Sequence, residues 1–207
     1  MKKKKTKSQQ LWVKRHQKDF FFSEAKRKGY RSRAAFKLLE IDKKYGLLKN
    51  INSIADLGCY PGGWCQVIIQ KSARQKNIEV YGVDIKEMLP IPGVTFIKED
   101  IKNLLSKKKK LFTSGLNMVL SDMSPNSTGN KFVDQSRSED VCRLALNFAL
   151  DNLRSNGSFV CKLIRGGYEK LFISNIEKKF RTFEFFKPEA SRKSSKEIYL
   201  ICRGFLI

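Results

Sequence analysis

Histidine is nearly missing from this sequence, and its cysteines show none of the spacings that bind metals. His16 is the single histidine in 207 residues, which excludes a His-rich metal site and disfavours a hydrolase built around a catalytic histidine. The five cysteines contain no C-x-x-C pair, and three of them lie in apolar stretches: Cys59, Cys65, Cys142, Cys161 and Cys202. We therefore predict buried free thiols in a reducing compartment and no metal site.

Long apolar runs are also missing. No segment approaches the roughly 20 apolar residues of a membrane-spanning helix. The N-terminus carries lysines where a secretory signal has its apolar core. We therefore expect no membrane partner and a cytoplasmic location. A mitochondrial location is the alternative, disfavoured because the basic N-terminal segment is rich in lysine rather than arginine.

Acidic residues are too few to balance the basic ones. The chain has 42 Lys plus Arg against 20 Asp plus Glu, a formal net charge of +22, and the usual partner of such a surface is nucleic acid. Residues 1–37 hold 14 of the basic residues and two acidic ones. We predict a disordered basic tail over residues 1–11 and a single domain over residues 12–207. Aromatic residues alternate with basic ones from Trp12 onward, which favours an RNA-binding arm over residues 12–36.

Apolar residues recur at helix-like and strand-like intervals along the rest of the chain. Helices are predicted over residues 32–45, 64–71, 136–154 and near 171–176, and strands over residues 51–57, 78–84, 94–97, 117–121, 158–164, 182–186 and 197–202. This alternation predicts a Rossmann-like α/β fold, with a mostly parallel seven-stranded sheet and helices on both faces. No long helix separates the last two strands, so the last strand is predicted to be antiparallel.

A glycine-rich turn follows the first predicted strand, in the segment Asp56-Leu57-Gly58-Cys59-Tyr60-Pro61-Gly62-Gly63-Trp64. A strand, such a turn and a helix make a place for an adenosine-bearing ligand, because glycines let the backbone approach it closely. The turn is not G-x-G-x-x-G, which argues against a dinucleotide and for a ligand without phosphates. Asp84 ends the second strand, where an acid accepts hydrogen bonds from ribose hydroxyls. Asp100 follows the third strand and is expected near the adenine edge. A loop or helix-cap aspartate is the alternative for both Asp84 and Asp100.

Two charged residues stand out near the carboxyl ends of the central strands. Lys162 interrupts the apolar strand Phe159-Val160-Cys161-Lys162-Leu163-Ile164, and Asp122 ends the neighbouring strand. A lysine placed there is partly desolvated, and desolvation favours the neutral amine that can accept a proton. The alternative interpretations are a strand-end lysine that reaches solvent and an aspartate that begins a turn.

Four motifs occur in an order and at a spacing that resemble the FtsJ/RrmJ family. They are the Asp56–Trp64 turn and the segments Ser32-Arg33-Ala34-Ala35-Phe36-Lys37-Leu38, Ser121-Asp122-Met123-Ser124-Pro125-Asn126 and Ser191-Arg192 through Glu197-Ile198-Tyr199. The resemblance runs from about Trp12 to the C-terminus. It implies a class I methyltransferase that transfers a methyl group from S-adenosylmethionine to a ribose 2′-hydroxyl of RNA and releases S-adenosylhomocysteine.

The resemblance also implies which residues do the work. A catalytic Lys-Asp-Lys-Glu tetrad corresponds to Lys37, Asp122, Lys162 and Glu197. In this hypothesis Lys162 accepts the hydroxyl proton or orients the 2′-hydroxyl, Asp122 places Lys162 and faces the donor methyl, and the other two complete the charge network. Residues assigned to the cofactor are Gly58, Gly62, Trp64, Asp84, Asp100 and Asp122.

Basic residues around the entrance are expected to hold RNA phosphates: Lys26, Arg27, Lys28, Arg31, Arg33 and Arg192, with Lys193 extending the track. A solvated helix face is the alternative. Tyr199 is interpreted as core packing on the last strand, and a platform for base stacking is the alternative. The chain departs from the family pattern at Cys59-Tyr60, where two small residues are usual, and at Ile164-Arg165, where Phe-Gln is usual.

The target implied by the resemblance is a uridine of large-subunit ribosomal RNA in the assembled subunit, modified by a monomeric enzyme. A tRNA or mRNA-cap 2′-O-methyltransferase is the alternative within the class. A catalytically silent RNA-binding assembly factor is the alternative from another class, and the intact tetrad disfavours it. A nicotinamide-dependent oxidoreductase is disfavoured by the lack of G-x-G-x-x-G.

Overall fold

Seven strands form one sheet in the computed structural model, and helices cover both of its faces. The structure describes residues 19–73, 75, 77–106, 112, 114–125, 128–165, 169–192 and 194–207. The predicted tail and first part of the arm (residues 1–18), the basic run Lys107–Lys110 and Lys193 lie outside these residues.

The helices and strands alternate along most of the chain. The helices are α1 (Phe20–Arg27), α2 (Ala34–Tyr45), α3 (Gly63–Ser72), α4 (Ile101–Ser106), α5 (Lys131–Asn152) and α6 (Glu169–Glu177). The strands are β1 (Ser53–Leu57), β2 (Glu79–Asp84), β3 (Val94–Lys98), β4 (Leu116–Ser121), β5 (Leu153–Ile164), β6 (Phe180–Phe186) and β7 (Glu197–Phe205).

The strand order across the sheet is β3-β2-β1-β4-β5-β7-β6. The first five strands run parallel to one another, and β7 is antiparallel to both β5 and β6. The predicted mostly parallel sheet with an antiparallel last strand is therefore confirmed. Because β7 is reversed, its first residue, Glu197, pairs with Ile164 at the end of β5. The start of β7 thus lies at the same edge of the sheet as the carboxyl ends of the parallel strands.

Two apolar cores hold the sheet between its helix layers. One lies under α2 and α3 and includes Leu38, Ile41, Val67 and Ile68. The other lies under α4, α5 and α6 and includes Leu104, Phe148 and Ile176. All five residues of β1 are buried, which fits a central strand covered on both faces. The sheet is therefore a rigid support for the side chains at its edge.

Some element boundaries differ from the sequence prediction. The long helix α5 begins at Lys131 rather than at residue 136, because Asn130 caps it by accepting hydrogen bonds from the backbone N–H groups of Phe132 and Val133. Strand β5 starts at Leu153, directly after α5, and not at residue 158. Its register against β4 shifts between Leu116 and Met118, and Asn156 has φ +61°, so the first part of the strand is irregular.

The five cysteines are free and buried, as predicted. Within the described residues, no helix is both long enough and apolar enough to cross a bilayer. Helices α1 and α4 were not predicted. They are eight and six residues long, and helices this short give little periodic signal.

Candidate active site

The turn between β1 and α3 depends on two glycines. Gly58 has φ +74° and Gly62 has φ +108°, a region that side-chain-bearing residues rarely adopt. A Cβ on Gly58 would lie 3.1 Å from the Cα of Met123 and closer still to its side chain. A Cβ on Gly62 would meet Ile91 Cδ1 at 2.7 Å and Met88 Sδ at 2.8 Å. The turn is therefore a backbone cradle of the kind that admits an adenosine-bearing cofactor.

Two aspartates lie beside this cradle. The Asp84 carboxylate accepts hydrogen bonds from the backbone N–H groups of Tyr60 at 2.9 Å and Lys86 at 2.8 Å, so it holds the glycine turn against the end of β2. Asp100 accepts from the backbone N–H of Lys102 at 2.9 Å, at the start of α4. A carboxylate oxygen has a further lone pair after one such bond. Both residues are thus also able to bind ligand hydroxyl or amino groups.

Trp64 has a clear structural function. Its indole Nε1–H donates to the backbone carbonyl of Ala34 at 2.7 Å, and its ring centroid lies 5.8 Å from that of Tyr199. The side chain is buried between α3 and α2. It therefore fixes α3 to α2, the helix that carries Lys37. Direct contact between Trp64 and a cofactor stays a prediction.

Asp56 is an acidic side chain that the sequence interpretation did not assign to the site. It is buried in β1 and accepts a hydrogen bond from the Cys65 thiol at 3.2 Å. Desolvation raises its pKa to about 7, opposed by the Cys65 hydrogen bond and assisted by the Asp122 and Asp84 charges. An acid inside the otherwise apolar strand Ser53–Leu57 was the available signal, the same kind of signal that identified Lys162.

The four tetrad residues meet at the carboxyl edge of the sheet. Lys162 Nζ lies 3.0 Å from Asp122 Oδ1 and donates to the Asp122 backbone carbonyl at 2.6 Å. Lys37 Nζ forms a close ion pair with Glu197 Oε1 and lies 3.7 Å from Asp122 Oδ1. All four side chains are mostly buried. Two cations and two anions thus form one compensated network, as buried charges require.

Tyr199 packs in the core, as interpreted from the sequence, and its hydroxyl also belongs to this network. Its ring is fully buried, but its hydroxyl donates to Asp122 Oδ1 at 2.6 Å and lies 3.4 Å from Glu197 Oε1. Desolvation, followed by the Asp122 and Glu197 charges, raises its pKa well above the ordinary value, so the phenol stays protonated. The residue pairs with Lys162 across β5 and β7, which brings both side chains to Asp122.

Asp122 is the centre of the network. Burial by itself would raise its pKa, but the Lys162 and Lys37 charges and the hydrogen bonds from Tyr199 and Lys162 together lower the pKa below its ordinary value. The carboxylate is therefore ionised at neutral pH. It presents fixed negative charge at the edge of the cradle, next to Met123, which contacts Gly58. Such a charge suits a donor whose methyl group is bound to a positively charged sulfur.

The basic residues predicted to contact RNA fall into two groups. Lys26, Arg27 and Lys28 are exposed near the end of α1, and the last two form ion pairs with Glu24. Arg192, half-exposed, lies 4.0 Å from the carboxylate of Asp19. Phosphate contact by these four residues stays a prediction.

Arg31 and Arg33 have partners inside the protein. The Arg31 guanidinium donates to the backbone carbonyls of Leu89 at 2.6 Å, Pro90 at 2.9 Å and Pro61 at 3.3 Å. The Arg33 guanidinium forms short contacts with the Asp19 carboxylate and the Ala190 carbonyl. Desolvation, followed by the Arg192 charge, lowers the pKa of Arg33. These two arginines therefore differ from the exposed cations with which the sequence grouped them.

A glycine cradle beside acidic residues, next to a buried network of two lysines and two acids, defines a class I methyltransferase that uses S-adenosylmethionine as its methyl donor. The FtsJ-like methyltransferase family model matches residues 30–205. The chain belongs to this family, whose members methylate ribose 2′-hydroxyls of RNA.

Named relatives are similar over almost the whole chain. The ribosomal RNA large subunit methyltransferase E of Ehrlichia chaffeensis is 42% identical over 197 residues, which are 94% of this chain and 92% of the relative. The protein of the same name from Parvibaculum lavamentivorans is 39% identical, covering 98% of this chain and 84% of the relative. A ribosomal RNA methyltransferase structure from Plasmodium falciparum superposes with a TM-score of 0.73 at 35% identity, covering 86% of this chain and 99% of that chain.

Proposed function

We propose that this enzyme methylates the 2′-hydroxyl of a uridine ribose in large-subunit ribosomal RNA, with the assembled large subunit as its substrate. The observation that carries the chemistry is the Lys162–Asp122 pair, with Nζ and Oδ1 3.0 Å apart, closed by Lys37 and Glu197 at the cofactor edge of the sheet. The ribosomal target is supported by relatives named ribosomal RNA large subunit methyltransferase E.

In the proposed mechanism the tetrad positions the ribose and removes its proton. An ammonium group has three donors. Lys162 directs two of them to the side chain and backbone oxygen of Asp122, which leaves the third position for the ribose 2′-oxygen. As the neutral amine, the same nitrogen accepts the hydroxyl proton. S-adenosylmethionine, when bound, supplies a methyl group on a cationic sulfur.

The other network residues hold Asp122 and Lys162 in place. Lys37 balances both acids, and Glu197 in turn keeps Lys37 at the edge of the sheet. Fixing the hydroxyl in line with the methyl carbon lowers the barrier through orientation, before any proton transfer is considered. Gly58, Gly62, Asp84 and Asp100 are proposed to hold the adenosine end of the cofactor.

The net charge of +22 suits an RNA substrate, and exposed lysines and arginines on α1 lie where they are able to contact phosphates. We propose that the enzyme works as a monomer, in the cytoplasm, on ribosomal particles. A tRNA or cap substrate would use the same tetrad, so the substrate must be decided by experiment.

The test is transfer of labelled methyl from S-adenosylmethionine to purified large subunits, free ribosomal RNA and tRNA. Wild type, Lys162→Ala and the control Lys178→Ala, a lysine exposed after α6, are compared. We expect alkali-resistant label, recovered as a 2′-O-methylated dinucleotide, in the large subunit with wild type and Lys178→Ala. Lys162→Ala should give none.

Other outcomes would contradict the proposal in separate ways. Label confined to tRNA would keep the chemistry and replace the substrate. Near-normal turnover by Lys162→Ala would remove the proton-accepting function of Lys162. RNA binding without label in any fraction would favour a silent assembly factor.

A further inference from the structure

Residues 28–33, the segment between α1 and α2, carry two arginines that contact two different parts of the active site. One part is the glycine turn, and the other is the loop that precedes Glu197. Arg31 and Arg33 are separated by one residue, yet their guanidinium groups reach different loops. We infer that Arg31 positions the cofactor cradle and Arg33 positions the loop that holds Glu197, so that both are positioning residues and not phosphate contacts.

Arg31 joins the glycine turn, which forms the cofactor cradle, to the neighbouring loop between β2 and β3. One of its acceptors, Pro61, is in the glycine turn after β1, and the others, Leu89 and Pro90, are in the loop between β2 and β3. Its Nη1 lies 3.2 Å from where a Cβ of Gly62 would be. A planar guanidinium is able to donate to three carbonyls at fixed angles, whereas an ammonium is a single point.

The backbone around Arg31 is also fixed to helix α3. Gln66 of α3 accepts the backbone N–H of Arg31 at 2.8 Å and donates to the Gly29 carbonyl at 3.0 Å. The Tyr30 hydroxyl donates a hydrogen bond to the side-chain oxygen of Gln70 in the same helix. These hydrogen bonds hold the segment rigidly against α3. Loss of the Arg31 guanidinium bonds would therefore let the two loops separate without unfolding the arm.

Arg33 reaches the opposite side of the site. It connects Asp19, the cap of α1, to the carbonyl of Ala190, which is fully buried between α1 and α2. The next residue, Ser191, is 4% exposed, and its hydroxyl donates to Glu197 Oε1 at 2.9 Å. Glu197 Oε1 is the oxygen that pairs with Lys37. It is thus held in place by a residue of the loop that Arg33 fixes.

Glu40 adds a second anchor to the same loop. Its carboxylate accepts the backbone N–H groups of Glu189 at 2.5 Å and Ala190 at 3.0 Å. Because the loop stays attached to α2 through Glu40, removing the Arg33 fork should misplace Ser191 and Glu197 slightly rather than release the whole loop. A moderate loss of turnover is therefore expected, not an unfolded protein.

The test uses Arg31→Lys and Arg33→Lys, which keep the positive charge but remove the planar guanidinium and its several N–H donors. Arg143→Lys is the matched control, because Arg143 is an exposed arginine ion-paired with Glu139 on α5. Affinity for S-adenosylmethionine is measured by calorimetry without RNA, so this arm does not depend on the proposed RNA substrate. Turnover with large subunits rests on the proposed function and is measured separately.

We expect Arg31→Lys to weaken S-adenosylmethionine binding about tenfold, since two or more hydrogen bonds are lost. Arg33→Lys should leave that affinity unchanged and lower kcat about fivefold. Asp19→Asn keeps a cap for α1 but loses the ion pair, and should reproduce the kcat loss without adding to it in the double variant. Arg143→Lys should change none of these values.

The salt dependence of RNA binding separates this inference from the phosphate-contact alternative. If the two arginines only position loops, Arg31→Ala and Arg33→Ala keep the wild-type slope of RNA affinity against salt. A flattened slope in the Ala variants, with unchanged S-adenosylmethionine affinity in Arg31→Lys and unchanged kcat in Arg33→Lys, would overturn it. Absence of methyl transfer by wild type would defeat the proposed function but leave the calorimetric result standing.

Discussion

The hydroxyl of Tyr199 lies 2.6 Å from Asp122 Oδ1, the same carboxylate oxygen that Lys162 Nζ approaches to 3.0 Å. One carboxylate oxygen thus receives a neutral donor from β7 and a cationic donor from β5. This shared acceptor explains how a fully buried tyrosine is satisfied and why it lies next to Lys162.

Tyr199→Phe should lower methyl transfer about tenfold, because a hydrogen bond to a charged group is worth about 1.5–3 kcal/mol and part of that loss falls on the geometry of Asp122. Activity should not vanish, since the two lysines still hold the carboxylate. Single-turnover rates measure the effect. Tyr45→Phe is the control, as its hydroxyl makes a long 3.4 Å contact with Glu184 at the surface. Wild-type rates in Tyr199→Phe would contradict this function of the phenol.

Lys37 and Glu197 should behave as a unit. Either Lys37→Met or Glu197→Gln leaves one buried charge without its closest partner, so each should lower both kcat and the free energy of unfolding. The double variant should lose less than the sum, with a coupling energy on the order of 1–3 kcal/mol. A double-mutant cycle on urea unfolding and on kcat measures this coupling. Strict additivity would show that the ion pair does not operate in solution.

The stability of the fold should depend on pH through Asp56. Its folded-state pKa, about 7, is above the ordinary 3.8, so between these values the folded chain binds the proton more tightly than the unfolded chain. The stability contributed by Asp56 is therefore complete below about pH 4 and is lost as the pH rises toward 7. Asp56→Asn removes this dependence while keeping an acceptor for Cys65.

Urea unfolding at pH 5 and pH 8 tests this expectation. The difference in unfolding free energy between Asp56→Asn and wild type should move in favour of the variant as the pH rises from 5 to 8, by about 2.5 kcal/mol. Contributions from other titrating groups are common to both proteins and cancel in that difference. A difference that is the same at both pH values would mean that Asp56 is ionised throughout.

Gly58→Ala should weaken both the fold and cofactor binding. The new Cβ would occupy a left-handed backbone position and would also collide with Met123. Gly46→Ala is a matched control, because Gly46 has a similar φ, +63°, but the nearest atom to an added Cβ is Lys49 Cδ at 3.8 Å, an ordinary contact. Strain at such a position costs about 1–2 kcal/mol, so Gly46→Ala should lose only that amount of unfolding free energy.

The collision in Gly58→Ala should add to this cost and reduce S-adenosylmethionine affinity in calorimetry, whereas Gly46→Ala should leave that affinity unchanged. Equal stability and equal affinity in the two variants would show that Met123 moves away freely and that the cradle tolerates a side chain.

Much of the fold was readable in the sequence, because alternating strand and helix patterns with a glycine turn leave few arrangements. The parallel sheet, its reversed last strand and the buried cysteines were predicted and are confirmed. Lys162 and Asp56 are charged residues inside apolar strands, which is a signal that a sequence carries by itself. The sequence interpretation used this signal at Lys162 and quoted Asp56 only as the first residue of the glycine-rich turn segment.

Only the tertiary structure decided which charged side chains meet. Arg31 and Arg33 look like their exposed neighbours Arg27 and Lys28 in the sequence, since all four are cations in one basic segment. Their difference depends on carbonyls up to 157 residues away along the chain, and no local pattern encodes such a distance. Tyr199 is likewise interpreted as core from its position in the last predicted strand, but strand pairing also brings its hydroxyl to Asp122. Local periodicity determines the elements, and only their packing determines the partners of each polar group.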